Sequence, residues 1–317
     1  MELKKLLTGS FPIHKEASQS SSTGLDAFSI QDVVQEQIKA DLDVLVDGQL
    51  RSNIVGIFAA QIGLHGVGLP YRVRGKLGTL KKAVTLPDLE IAASEAKGRP
   101  LKAHITGPTV IAESCLEDKE TPQLYRGESG FRQLTLDIAA ELSQEAKFIA
   151  SREKNLNIQY LQIDEPSLAY GANLELAREA LAIIAQGWRG NGGGEIILHV
   201  CGDIRDILGD LAEMPVDILN IENVHLREAS EESLKLLRKS NKKLALGIVA
   251  VNTDKIPTPQ RLAQELVFAS DRYGKEHLWG ITPNCGLRLS SLVLVSQRIA
   301  CMREAANILK SQSGRLA

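Results

Sequence analysis

Residues 196–203 read IILHVCGD. Ile196, Ile197, Leu198 and Val200 make the apolar run of a buried β-strand. His199 and Cys201 interrupt that run two residues apart. Side chains alternate faces along a strand, so this imidazole and this thiol point the same way. The stretch reads as a core strand whose C-terminal end carries chemistry.

The same pattern recurs along the chain. Short apolar runs fall at Leu6–Ser10, Val44–Asp47, Leu101–Thr106, Tyr160–Ile163, Ile196–Val200, Ile218–Ile221, Leu244–Val251 and Leu278–Thr282. Segments with a period near 3.6 lie between them. In FRQLTLDIAAELSQEAKFIA, the residues Phe131, Leu134, Ile138, Leu142 and Ile149 share a face. SIQDVVQEQIKADL opens with Ser29 and has Asp32 three residues on, a capping-box start. Leu289–Leu309 reads as a closing helix. Strand and helix alternating eight times predict an α/β fold, a closed (β/α)₈ TIM barrel in a single domain over residues 1–317. An open doubly wound sheet is the competing arrangement.

Each run ends in polar or small residues: TGS (8–10), DGQLRSN (47–53), TGP (106–108), DEPSLAYG (164–171), HVCGD (199–203), ENVH (222–225), VNT (251–253) and PNCG (283–286). In such a barrel the C-terminal strand ends build the active site. Two regions exceed a minimal barrel. Residues 13–24 are polar and serine-rich and predict a loop. Residues 63–87 carry five glycines with Arg72, Arg74, Lys76, Lys81 and Lys82, and predict a hairpin-like excursion between the second and third strands. A solvated surface hairpin and a dock for an acidic partner are its two readings.

The chain has 317 residues, 44% hydrophobic and 24% charged, with a net charge of -2. No basic field exists to attract nucleic acid. The apolar runs fall short of the ~20 residues of a membrane span. The start, MELKKLLTGSFP, lacks the apolar stretch of a signal peptide, so a cytoplasmic protein is expected. In that setting the four cysteines are thiols rather than disulfides.

His199 and Cys201 supply two ligand types from one strand face. Cys285 ends the eighth run, where the chain turns between Asn284 and Gly286. Glu222 ends the sixth. His, Cys, Glu and Cys form a four-coordinate donor set of the kind zinc accepts. Taken alone, the His199–Cys201 pair fits equally a core histidine beside a buried thiol. Cys115 and Cys301 have no such setting and read as packing residues.

TGSFP, DVLVDGQ, ITGP, LQIDEPSL, HVCGD, NIEN and ITPNCGLR occur in this order across nearly the whole chain. Together they resemble the C-terminal catalytic barrel of cobalamin-independent methionine synthase. The resemblance implies a Zn²⁺ site of His199, Cys201, Glu222 and Cys285, with homocysteine held near Gly9, Ser10 and Asp164. It implies methyl transfer to the homocysteine thiol, forming methionine. A free thiol, with a pKa of ~8.5, is largely unreactive as S–H, and zinc binding deprotonates it. Glu222 is the ligand expected to yield to the softer thiolate.

Three departures from the family bear on the donor and one on the acceptor. The family enzyme has two barrels, where this chain is expected to hold one. Ala250 and Asn252 stand where the family has Asp-x-His, whose histidine assists protonation of the folate leaving group. QIGLHGVGLPYR replaces a stretch where the family shows a tryptophan. These changes point away from methyltetrahydrofolate and toward methylcobalamin or a methylated corrinoid protein as donor. His65 and His225 are the local candidates to replace the missing acid, although a lone loop histidine is usually solvated surface. Gln49 stands where the family glutamate pairs with the substrate ammonium, leaving Asp164 as the main anion there. Two alternatives stay open: methyl transfer to another thiol such as coenzyme M, and a non-catalytic zinc-holding binding protein.

Overall fold

The structure is a computed structural model that describes residues 2–13 and 28–313. The expected loop at 13–24 lies almost wholly outside the described residues.

The described residues form ten strands: β1 (Lys4–Lys5), β2 (Leu64–His65), β3 (Tyr71–Val73), β4 (Leu101–Thr106), β5 (Cys115–Leu116), β6 (Ile158–Asp164), β7 (Glu195–His199), β8 (Ile218–Glu222), β9 (Lys243–Val249) and β10 (Leu278–Pro283). Seven form one parallel sheet in the order β1-β10-β9-β8-β7-β6-β4. Parallel bridges Leu6↔Val44 and Leu45↔Leu101 insert the Val44–Leu45 segment between the two edges. The ring therefore closes with eight members, the expected barrel.

The first two runs pair over shorter lengths than predicted, because side chains take their backbone groups. The Gln37 amide accepts from Val46 N at 3.0 Å and donates to Val46 O at 2.7 Å, which ends pairing after Leu45. The Thr8 carbonyl is taken by the side chains of Lys102, His104 and Gln162.

Leu6, Val44, Tyr160, Ile197, Ile218, Ala245 and Trp279 form a separate buried cluster, one residue from each of seven strand positions. This is the plug inside the barrel. The larger core lies between the sheet and the outer helices. Helix Gly127–Ala150 buries Leu134, Ile138, Leu142 and Ile149, four of the five predicted face residues. Helix Ile30–Lys39 starts with the predicted capping box between Ser29 and Asp32. The last helix begins at Leu292 rather than Leu289. Ser291 Oγ accepts from Leu294 N, which sets the start there and leaves Leu289 in the preceding loop.

The excursion contains an antiparallel pair, β2 with β3. It also recruits β5, which pairs in parallel with β3 through Tyr71↔Cys115. Arg72 and Arg74 form ion pairs with Asp118 and Glu120 of the adjoining segment, so two of the five cations are matched internally.

Candidate metal and substrate site

β4, β6, β7 and β8 run in register at their C-terminal ends, with partners Thr106↔Asp164, Asp164↔His199 and His199↔Asn220. This row sits at the mouth of the barrel. The ligand atoms of His199, Cys201 and Cys285 all lie within 4.8 Å of one another. Tetrahedral zinc with bonds of about 2.0–2.3 Å needs its donors roughly 3.5–3.8 Å apart, so this spacing fits the ion after small adjustment.

The tautomer of His199 fits as well. Its Nδ1 lies 3.1 Å from the Asn220 carbonyl oxygen. A carbonyl only accepts, so Nδ1 carries the hydrogen and Nε2 keeps its lone pair for a metal. Asn220 is itself held by donating to Ala245 O at 2.9 Å and Thr282 Oγ1 at 2.8 Å. Cys285 is held well below the ordinary thiol range, chiefly by hydrogen bonding with Cys201 and His199. The Cys201 thiol is pushed up by the same contact and by burial. A half-buried pair that favours one thiolate suits a cation.

A cavity of about 490 Å³ opens over this group. Thr8, Gly9, Ser10, Gln49, Asp164 and Asn252 line it together with His199, Cys201 and Cys285. Ser10 lies against the Cys285 turn: a Cβ on Gly286 would stand 2.2 Å from Ser10 Oγ, so a side chain there would displace the Ser10 hydroxyl. Gly9 leaves room for Gln49, whose Oε1 would be 3.0 Å from a Cβ there. Gly48 (φ 84°) and Gln49 (φ 51°) both take the left-handed conformation, which turns the Gln49 side chain toward Asp164. Arg288 pins the turn by donating to Gln49 O and Ser52 O.

Glu222 is not in the cluster. Its Oε2 accepts from Asn284 Nδ2 at 3.0 Å, and it lines a neighbouring cavity of about 460 Å³. The two histidines considered as replacement acids do not line the 490 Å³ cavity. His65 is exposed on β2. His225 is buried, with Nε2 donating to Gly202 O at 2.7 Å. Cys115 and Cys301 lie outside the metal group, and burial raises both thiols, Cys115 to about 12.

Sequence reasoning missed Lys102, Gln162, Asn220 and Asn284. Lys102 and His104 sit two apart in a strand read as apolar, and Gln162 sits two before Asp164 in another. That alternation inside a fully buried strand is the signal of polar groups facing the barrel interior.

The family model for the cobalamin-independent synthase catalytic domain matches residues 12–308. A methionine synthase of Methanothermobacter thermautotrophicus is 32% identical over 273 residues, 82% of each chain. One of Methanocaldococcus jannaschii is 28% identical over 302 residues, 89% of each. Among solved structures, a B12-independent methionine synthase from Shewanella sp. W3-18-1 superposes with a TM-score of 0.77 at 19% identity, over 98% of this chain and 99% of that one. That likeness concerns the fold. Among the described residues, no helix is long and apolar enough to cross a membrane.

Proposed function

This chain belongs to the cobalamin-independent synthase catalytic-domain family, and from that premise we propose that it is a methyltransferase that makes methionine from homocysteine. The observation that carries the reading is the His199–Cys201–Cys285 group at the floor of a cavity that also holds Asp164 and Ser10. His199, Cys201 and Cys285 would hold Zn²⁺, with Glu222 as the fourth donor. Bound there, the ion keeps an acceptor thiol anionic at neutral pH.

The chain's own groups handle the rest of the acceptor. Asp164, buried and facing the cavity, takes the α-ammonium by a charge-assisted hydrogen bond. Gln49 is a neutral neighbour to it. Ile54, Val251 and Leu289 give the cavity apolar walls that limit water around the reacting sulfur. Fixing the thiol near one wall and the donor at the open mouth makes the transfer effectively unimolecular.

The lining of the cavity supports one choice of donor. Asn252 cannot supply a titratable proton, and among the described residues no histidine besides His199 lines it. A methyl group on a corrinoid cobalt meets this limit. The C–S bond forms as the methyl–cobalt bond breaks, the electron pair departs with cobalt, and no proton is required. We therefore favour methylcobalamin or a methylated corrinoid protein as donor. The family description, cobalamin-independent, names no resident corrinoid; in this reading the corrinoid is a second substrate that arrives methylated and leaves.

Neutral Gln49 favours one competing acceptor, an anionic thiol without an ammonium, such as coenzyme M. The experiment supplies zinc-loaded protein with methylcobalamin and either thiol. Methionine formation is the expected result. Methylation of coenzyme M in its place would move the assignment, and inertness toward both thiols would defeat it.

A further inference from the structure

Lys102 is fully buried on β4, inside the barrel. Its Nζ lies 2.7 Å from Leu7 O, 2.9 Å from Thr8 O and 2.5 Å from Gln162 Oε1. Three acceptors demand three hydrogens, so the group is an ammonium; a neutral amine has only two. A buried cation with no carboxylate in contact is costly to keep. Burial pushes it down to about 7, and Asp164 is the charge that opposes this.

The contact to Gln162 fixes the direction of the next one. Because Oε1 faces the ammonium, Nε2 must face the other way. It donates to Thr8 O at 2.8 Å and to Asp164 Oδ1 at 2.6 Å. Gln162 is fully buried too, so no water replaces these bonds. Asp164 Oδ1 is locked, while Oδ2 meets only the Gln49 amide, at 3.5 Å, among the described residues. One carboxylate oxygen is clamped from below and the other is left open toward the cavity.

We infer that Lys102 and Gln162 are positioning residues that aim Asp164 Oδ2 at the α-ammonium of the acceptor, and so select an amino-thiol. The chain runs Lys102 Nζ–H to Gln162 Oε1, then Gln162 Nε2–H to Asp164 Oδ1. The same two residues fasten Thr8 O, one residue before Gly9 and two before Ser10, so the carboxylate and the loop under the thiol share one anchor. The inference rests on the amino-thiol reading above and deepens it.

The test compares homocysteine with γ-mercaptobutyrate, the same thiol acid without the ammonium. Calorimetric binding of each is measured on zinc-loaded wild-type protein, Lys102→Met and Gln162→Glu. Gln162→Glu keeps an acceptor for Lys102 and removes the donor to Asp164, so it remains informative where Lys102→Met does not fold. Both variants are expected to bind homocysteine roughly ten- to hundredfold more weakly, as loss of a charge-assisted contact predicts. Binding of γ-mercaptobutyrate should fall far less, through the shared Thr8 anchor alone, whereas a general loosening of the barrel would weaken both thiols equally. Wild-type preference for homocysteine retained in Gln162→Glu, or an equal loss for both thiols, overturns the inference alone. Wild-type protein that binds the two thiols equally overturns the amino-thiol reading and this inference with it.

Discussion

Asn284 donates from Nδ2 to Glu222 Oε2 at 3.0 Å while its own Oδ1 accepts from Val251 N at 2.9 Å. The Val251 amide can only donate, so Oδ1 must face it and Nδ2 must face Glu222. The backbone at Asn284 is seated on Gly247, where a Cβ would fall 2.6 Å from Asn284 Cα. The amide thus holds the Glu222 carboxylate off the metal group. Asn284→Asp keeps the Val251 contact and replaces the donor with a second carboxylate, whose repulsion drives Glu222 toward the cluster. Zinc affinity, measured by competition with a chelator, is expected to rise about fivefold, equivalent to ~1 kcal/mol. Unchanged or weaker affinity would remove Glu222 from the ligand set or Asn284 from its control.

Zinc itself is the second expectation. Purified protein should hold about one Zn²⁺ per chain, as a single four-donor site requires. His199→Ala and Cys285→Ser each remove a donor that lies within 4.8 Å of the other two, and metal analysis should find both variants largely empty. Full zinc retained in the double variant would place the ion elsewhere.

Much of this was legible before the structure because strand periodicity is rigid. His199 and Cys201, two apart in an apolar run, could only share a face, and the barrel then brought Cys285 across from β10. The eight runs were legible for the same reason. What escaped was anything decided by rotamers or by side chains bonding to backbone. Glu222 ends β8 as expected, yet its carboxylate turns to Asn284, a choice no spacing rule encodes. The second run shrank to bridges because Gln37, nine residues before Val46, took its backbone groups. Lys102 and Gln162 were hidden because an apolar average over β4 and β6 conceals single polar residues pointing inward.

Glu165 gives a stability prediction with a defined sign. Its carboxylate accepts from Thr109 N at 3.0 Å, Val110 N at 2.9 Å and Ser167 Oγ at 2.5 Å. Complete burial nevertheless pushes it up to about 7, above the 4.5 of an unfolded glutamate. Between those values the folded state keeps a proton that the unfolded chain has released. This contribution is therefore present below about 4.5 and is lost as pH rises through 7. Glu165→Gln lacks it and carries a constant penalty for its weaker acceptor set. Denaturant unfolding of both proteins should show the wild-type advantage shrinking by up to ~3 kcal/mol across that window. An advantage that grows with pH would mean Glu165 is ionised throughout.

Gln49 lies 3.5 Å from Asp164 Oδ2 and is neutral. Gln49→Glu places a second carboxylate beside the position assigned to the acceptor ammonium, with little change in shape. Homocysteine binding is expected to tighten about fivefold, or ~1 kcal/mol, through the added charge-assisted contact. γ-Mercaptobutyrate should bind no better. Equal gains for both thiols, or none for homocysteine, would place Gln49 away from the ammonium.

Asn252 bears on the donor. It lines the same cavity as Cys201 and Cys285, near the start of the loop that follows β9. Transfer from methyltetrahydrofolate leaves an electron pair on a nitrogen that must be protonated as the methyl departs. General acid assistance of this kind is worth typically ~10²–10⁴ in rate. Asn252 has no proton to give at neutral pH, while His65 and His225 do not line the cavity. A corrinoid cobalt needs no proton, so wild-type protein should turn over methylcobalamin and leave the folate nearly untouched. Asn252→His restores a titratable donor to that wall. Its activity with methyltetrahydrofolate should rise at least ~10-fold, the low end of what an imperfectly placed acid contributes. Its activity with methylcobalamin should stay near the wild-type level. The measurement is methionine formed from homocysteine with each donor, by each protein. Wild-type turnover of the folate equal to or above that of the corrinoid would overturn the donor assignment, because another group must then deliver the proton.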